Sequence, residues 1–422
     1  MEKILNTYIS CKAQGVMAEL IKDTDTGAFK IAVSNNGSVS YEDKFLDHYG
    51  NMWIPPRGIE YFPEGISLSS RVSDYKDADT LAREISEFIN RYVDMDEAFR
   101  AVCTHYVMLT YLAPAFYSLP YLRVIGEPSS GKSTLTGALG SLSYRGFEVS
   151  GAVTVPVIFR TIDMFGVTLT IDESDFANES DASDLIKILN SGYNKNRPVT
   201  RLERVDGKYV PVTYKVFGPK ILNGRDRFNN LALESRCITY RMHESNARPI
   251  SYQLPEEYSQ QAAVLRDKLL KYRFDYFKSV TTITLDWDAN FPSGFPPRLR
   301  QLLIPLLSIP GDAEMRVKIK EYFVLMGETA KIYKAHSLEG RILYVIKNIL
   351  HRKHMSRDLS VSGICDDVQE KMGREGIYLT PKKVGLVIHD LGLKTVRSTG
   401  GYYFLVPDET QLRKLYEEYD LS

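Results

Sequence analysis

The spacing of apolar residues changes character along this chain. As far as about residue 75 it runs in short alternating stretches, 29–33 among them, broken by turn clusters at 23–27 and 35–37, which predicts a small β-rich N-terminal domain. From Asp77 the period is helical, and DADTLAREISEFINRYVD places Leu81, Ile85, Phe88, Ile89 and Val93 on one face. The stretch 106–125 is apolar over about the length of a membrane span, but Pro114, Pro120 and Arg123 interrupt it. It reads better as a buried helix ending near Pro114, a short link and a core strand at 121–125, with no membrane anchor.

Downstream, apolar strands at 121–125, 167–171 and 220–223 are separated by helices at 132–142 and 182–189 and by a hairpin at 199–216. Strands that alternate with helices imply an α/β class, a parallel sheet with helices on both faces. After about residue 255 the pattern is helical again at 262–280 and 299–307, with a Pro- and Gly-rich bend at 291–297 between them. The tail predicts helices at 338–350 and 361–372, and a third that Thr380 caps and Pro381 opens. A strand, a Gly400-Gly401 turn and a second strand follow over 394–405. Three helices and a terminal hairpin make a winged helix. The expected division is 1–75, 76–250, a helical lid or connector at 251–336, and 337–422.

Composition narrows the function. Lysine plus arginine (53) balance aspartate plus glutamate (53), so any site for a polyanion has to be local. Cys11, Cys103, Cys237 and Cys365 lie far apart and form no CxxC pair, which argues against zinc and against a disulfide scaffold. With a polar N-terminus, this predicts a reduced, cytoplasmic protein.

The chemistry concentrates after the first core strand. Gly126, Glu127, Pro128, Ser129, Ser130, Gly131, Lys132, Ser133 and Thr134 (GEPSSGKST) fit the phosphate-loop pattern and sit between an apolar strand and a helix, as that pattern requires. Loop amides and the helix N-terminus would face the phosphates of ATP, Lys132 would reach the β- and γ-phosphates, and Ser133 would bind Mg²⁺. The strand VTLTI ends in Asp172 and Glu173; the first suits the Mg²⁺ shell and the second the attacking water. Asn223 ends another apolar strand, either as a side-chain amide near the lytic water or as a turn residue before Gly224. Arg236, in LESRC, and Arg298 and Arg300, in PPRLRQLL, read from residue type alone as surface ion-pair groups.

The succession GEPSSGKST, TLTIDESD, hairpin, FGPKILNGRDRFNNLALESRC and PPRLRQLLIPLLSI resembles the AAA+ ATPases of mobile genetic elements, the MCM-like helicases of cassette chromosomes, islands and phages. The resemblance spans roughly residues 80–330. It implies an ATP-dependent helicase built as a ring, by the family pattern a hexamer, with Asn223 at the first sensor, Arg236 as an arginine finger reaching a neighbouring subunit, and Arg298 or Arg300 at the second sensor. A replication initiator or loader, or an ATPase that drives a partner protein, are the other readings. The hairpin, whose Asp206-Gly207 turn lies between Arg204 and Lys208, is similar in position to the hairpin that lines the pore of such rings. Those cations could then grip a single DNA strand, or be ordinary surface. In the winged helix, Lys382, Lys383, Lys394 and Arg397 are placed for duplex DNA, although winged helices also serve as protein contacts.

Overall fold

A computed structural model of the chain describes residues 2–11, 15–56, 62–150, 153–172, 179–244, 255–285, 291–292, 295–351, 359–372 and 379–421, the side chains of 179–182 excepted. It divides into two compact units, Met1–Phe323 and Val324–Ser422.

The first unit begins with short strands: β1 (Glu2–Ile4), β2 (Tyr8–Cys11), β3 (Val16–Lys22), β4 (Phe29–Asn35), β5 (Ser38–Glu42), β6 (Phe45–Leu46), β7 (Met52–Ile54) and β8 (Ile66–Ser67). β2 to β5 form an antiparallel sheet in chain order, and β1, β7 and β6 form a second small sheet. Helices α1 (Ala78–Tyr92) and α2 (Glu97–Leu112) follow. Asp77 caps α1 by accepting from Thr80 N at 2.7 Å, and Leu81, Ile85, Phe88 and Ile89 are buried as the period predicts. α2 is buried almost all round and ends before Pro114, which cannot continue a helix hydrogen-bond ladder.

The central sheet is built from β9 (Tyr121–Ile125), β10 (Gly146–Val149), β11 (Thr168–Ile171), β14 (Lys220–Gly224) and β15 (Cys237–Arg241), in the order β15-β9-β14-β11-β10. These five pair in parallel, and β8 closes the β10 edge antiparallel. Every residue of β9 and β14 is buried, the pattern of strands covered on both faces. Connecting them are α3 (Lys132–Leu142), α4 (Val155–Phe165), α5 (Glu179–Gly192), the hairpin β12 (Val199–Val205) and β13 (Lys208–Tyr214), and the short α6 (Leu231–Glu234). Register assigns the two faces. Thr170, Ile221 and Leu122 share a row facing α3, which approaches so closely that a Cβ on Gly140 would lie 2.8 Å from Thr170 Oγ1. Leu169 and Lys220 lie on the opposite face, where a Cβ on Gly192 of α5 would meet Lys220 Nζ at 2.7 Å. Helices on both faces of a parallel sheet are thus as expected.

The helices α7 (Glu257–Tyr276), α8 (Pro297–Ser308) and α9 (Ala313–Ala335) follow, the unit boundary falling within α9. A buried ionic knot ties this unit together. Glu19 of β3 lies 2.5 Å from Arg273 of α7 and 3.3 Å from Arg145, which follows α3, and all three are at most 2% exposed. Tyr144 donates its hydroxyl to Glu19 at 2.8 Å, and Arg145 donates to the carbonyls of Asn6 and Thr7 at 2.5 and 2.6 Å. The N-terminal strands are therefore bound to the sheet and to α7 as one unit.

The second unit contains α10 (Leu338–His351), α11 (Val361–Met372), α12 (Pro381–Asp390), the antiparallel hairpin β16 (Lys394–Arg397) and β17 (Tyr403–Val406), and α13 (Glu409–Glu418). Its core includes Ile342, Ile346, Ile364, Val384, Ile388 and Leu412. Thr380 caps α12, accepting from Lys383 N at 3.3 Å. The three helices and the hairpin fall where the tail pattern puts them, and α13 is an addition. β10, α4 and α9 were likewise not anticipated from sequence. Among the described residues, no helix is long and apolar enough to cross a membrane.

Candidate active site

The phosphate-loop segment leaves the sheet at the end of β9 and enters α3. Gly126 (φ +151°) and Gly131 (φ +88°) hold conformations that side chains rarely adopt, and a Cβ on Gly126 would lie 2.3 Å from the Met242 carbonyl. Glycine is what lets the loop pass this close to the end of β15. Ser129 is also left-handed, with φ 64°, Ser130 is buried, and Glu127, Pro128 and Ser129 are exposed. Lys132 arches back over the loop, its Nζ donating to the Glu127 carbonyl at 2.6 Å and reaching Ser130 Oγ at 3.4 Å. Ser133 and Thr134 open α3, and Ser133 Oγ donates to Asp172 Oδ1 at 3.2 Å.

Asp172 stands one residue beyond β11, its backbone N–H held by Val149 O at 2.9 Å. Asn223, 2% exposed on β14, donates its amide to the same Asp172 oxygen and to Thr136 Oγ1, the latter at 3.3 Å. This convergence follows from the strand order, because β14 lies between β9 and β11. The turn reading of Asn223 is set aside by its place inside a buried strand. Glu173 lies outside the described residues. Sequence reasoning missed Thr136, one helical turn beyond Lys132, and Glu148 of β10. Partial desolvation and, second, the charge of Asp172 raise the Glu148 carboxyl above its ordinary pKa.

The arginines gather elsewhere. Cys237 pairs with Tyr121 and Arg241 with Ile125, so Arg236 stands at the start of β9 and the phosphate loop at its end, roughly 15 Å away at strand rise. Arg236 donates to the Ala232 carbonyl and lies over the Tyr193 ring, 5.6 Å from its centroid. Arg298 lies over the same ring at 5.1 Å and reaches Ser235 Oγ at 3.3 Å. Burial first, and Arg298 second, lower the Arg236 pKa. Arg236 Nε is buried without a partner among the described residues. Arg300 donates to the Phe295 carbonyl at 3.1 Å. Neither Arg236 nor Arg298 reaches this chain's own phosphate loop.

The β12–β13 hairpin turns at Asp206 (φ 48°) and Gly207 (φ +82°), the pair of left-handed residues that a two-residue hairpin turn demands. Register pairs Arg204 with Tyr209 and Val205 with Lys208, which puts the two cations on opposite faces. One face meets α4, where Glu203 pairs with Arg160 at 2.6 Å. The other carries Leu202, Arg204 and Tyr209, with Tyr209 74% exposed. In the second unit Lys382, Lys383, Lys394 and Arg397 are all exposed, but Lys394 and Arg397 point to opposite faces of their hairpin.

No family profile and no curated protein matches this sequence. Among solved structures, the chain is similar to the apo C-terminal region of NrS-1 at 12% identity, covering 93% of this chain and 96% of that one with a TM-score of 0.41. It is similar to SCCmec type IV Cch, described as an active helicase, at 13% identity over 94% of both chains, TM-score 0.41. It is similar also to JCV helicase, solved with an acetamide ligand, at 15% identity over 60% of this chain and 62% of that one, TM-score 0.30.

Proposed function

We propose that this chain is an AAA+ P-loop ATPase that uses ATP and Mg²⁺ to move DNA, a ring helicase of the MCM-like kind serving replication of a mobile genetic element. The observation that carries the reading is the convergence on Asp172 of Ser133, from the phosphate loop, and Asn223, from the strand between. A hydroxyl and a carboxylate 3.2 Å apart are hard oxygen donors suited to Mg²⁺, and the amides at the start of α3, with Lys132, would face bound phosphates. Bound Mg²⁺ would offset charge on the γ-phosphate. Around it Lys132 would hold the phosphates, Asp172 and Ser133 the metal, Asn223 and Glu173 the water.

Arg236 is proposed to act on a neighbouring subunit, since its partly buried guanidinium stands at the far end of β9 from the loop of its own chain. A hexamer is the assembly proposed, from the family resemblance, and Arg298 or Arg300 is kept as the second sensor. The N-terminal strands, the ATPase core, the helical connector and a C-terminal winged helix are the proposed divisions, with a single strand at the Arg204–Tyr209 face of the hairpin and duplex at Lys382, Lys383, Lys394 and Arg397. Phosphate release tests the reading: Asp172→Ala should lower Mg²⁺-dependent ATP hydrolysis about a hundredfold or more while nucleotide still binds. Hydrolysis at the parental rate in that variant would remove Asp172 from the site.

A further inference from the structure

The second unit contains a groove of about 540 Å³ between the start of α11, the first turns of α12 and the β16–β17 hairpin. Leu386, Tyr402 and Tyr403 line it and remain 58%, 63% and 52% exposed, an apolar surface that the unit's own core does not use. The backbone of the turn that carries Tyr402 is held by hydrogen bonds. Gly401 (φ +84°) closes a turn in which Ser398 N–H donates to the Tyr402 carbonyl at 2.8 Å, and a Cβ on Gly400 would touch the Tyr402 ring at 3.6 Å. Lys382 also lines the groove, and Arg397 is the cross-strand partner of Tyr403 on the same face of the hairpin. Neither cation has an ion pair among the described residues.

Aromatic rings flanked by unpaired cations match a nucleotide, whose base stacks and whose phosphate is charged; an apolar peptide would leave the cations unused. Duplex readout is the poorer match. Of the side chains that grip guanine or adenine edges in two places, helix α12, PKKVGLVIHD, contains only the lysines Lys382 and Lys383, and no Arg, Asn or Gln. From this we infer that the groove receives unpaired bases of a single DNA strand, stacked on Tyr402 and Tyr403, with Lys382 and Arg397 on the flanking phosphates. The inference rests on reading the second unit as a DNA-binding element, and moves Lys382 and Arg397 from duplex to a single strand.

The test uses the full chain, with a 2-aminopurine-containing single strand and a blunt duplex titrated over a range of salt. Replacing Tyr402→Ala and Tyr403→Ala together should weaken single-strand binding roughly five- to 150-fold per base stacked, abolish 2-aminopurine quenching, and leave duplex affinity and salt slope unchanged. Tyr402→Phe with Tyr403→Phe should bind like the parent, which shows the rings and not the hydroxyls at work. Lys382→Ala with Arg397→Ala should lower the single-strand salt slope by about 1.4. Parental single-strand affinity in the alanine pair, with weaker DNA binding in the cation pair, overturns the stacking groove and leaves a DNA-binding unit. Parental binding of both DNAs by both pairs overturns that reading too.

Discussion

Glu19→Ala is the replacement whose effect on stability the structure dictates most directly. Glu19 is 1% exposed and faces two arginines, Arg273 at 2.5 Å and Arg145 at 3.3 Å, that are 0% and 2% exposed. Without it, two guanidinium charges stay buried with no anion beside them: Arg145 keeps the carbonyls of Asn6, Thr7 and Phe165 and the Tyr144 hydroxyl, and Arg273 keeps the carbonyl of Tyr111. An arginine cannot shed its proton to escape, so the charge remains in the interior. Removing one partner of a buried ion pair costs about 3–5 kcal/mol, well above the typical point-mutant loss of about 1 kcal/mol. Tyr144 also loses its acceptor. At 3 kcal/mol, the melting temperature of a domain of 150–250 residues falls roughly 6–12 °C, and this larger unit should sit toward the low end. Scanning calorimetry of the full chain reads the transition of the first unit separately from that of the second. Glu19→Gln, which keeps the acceptor for Tyr144, should fall between parent and alanine variant. An alanine variant that melts within about 2 °C of the parent would mean that the knot does not bind the N-terminal strands to the sheet.

Mixing Arg236→Ala with Lys132→Ala, each nearly inactive alone, should restore part of the ATPase activity, because the loop of one can face the arginine of the other; no recovery in rings shown by mass to be mixed would make Arg236 a structural residue. Lys220 is fully buried, with its pKa pushed down to about 7 from 10.5 by desolvation, so between those values the unfolded chain binds a proton that the folded one does not. Stability should therefore rise with pH across that window, by up to about 1.4 kcal/mol per pH unit, and Lys220→Met should flatten the rise in denaturant melts. An identical slope in parent and variant would mean that the amine is not depressed.

Much of this was legible in the chain, and the reason is local. The α3 and β9 boundaries coincide with the sequence expectation because glycine, the GKS run and a short all-apolar strand punctuate them. α4 was not legible, since VPVIFRTIDMF is rich in β-branched residues and begins with a proline pattern shared by loops. The site was readable as types and not as groupings. Thr136 joins it only through the helical turn that places it under Asn223. Arg236 and Arg298, 62 positions apart, share the Tyr193 ring because the turn between α6 and β15 meets the start of α8 there, which no spacing predicts. Arg204 and Lys208 looked like one grip until register, fixed by the Asp206-Gly207 turn, set them on opposite faces. Lys220 opens β14, and nothing in its sequence position signals that it is buried over Tyr121 with its amine on the Val216 and Gly218 carbonyls.

The central claim, that ATP turned over at Lys132 and Asp172 moves DNA, is tested most directly by strand displacement on a forked duplex with Mg²⁺ and ATP. The parent should release the displaced strand only when ATP can be hydrolysed, and Lys132→Ala should release none. A parent that hydrolyses ATP yet never separates the strands at any concentration at which it binds the fork would contradict the claim.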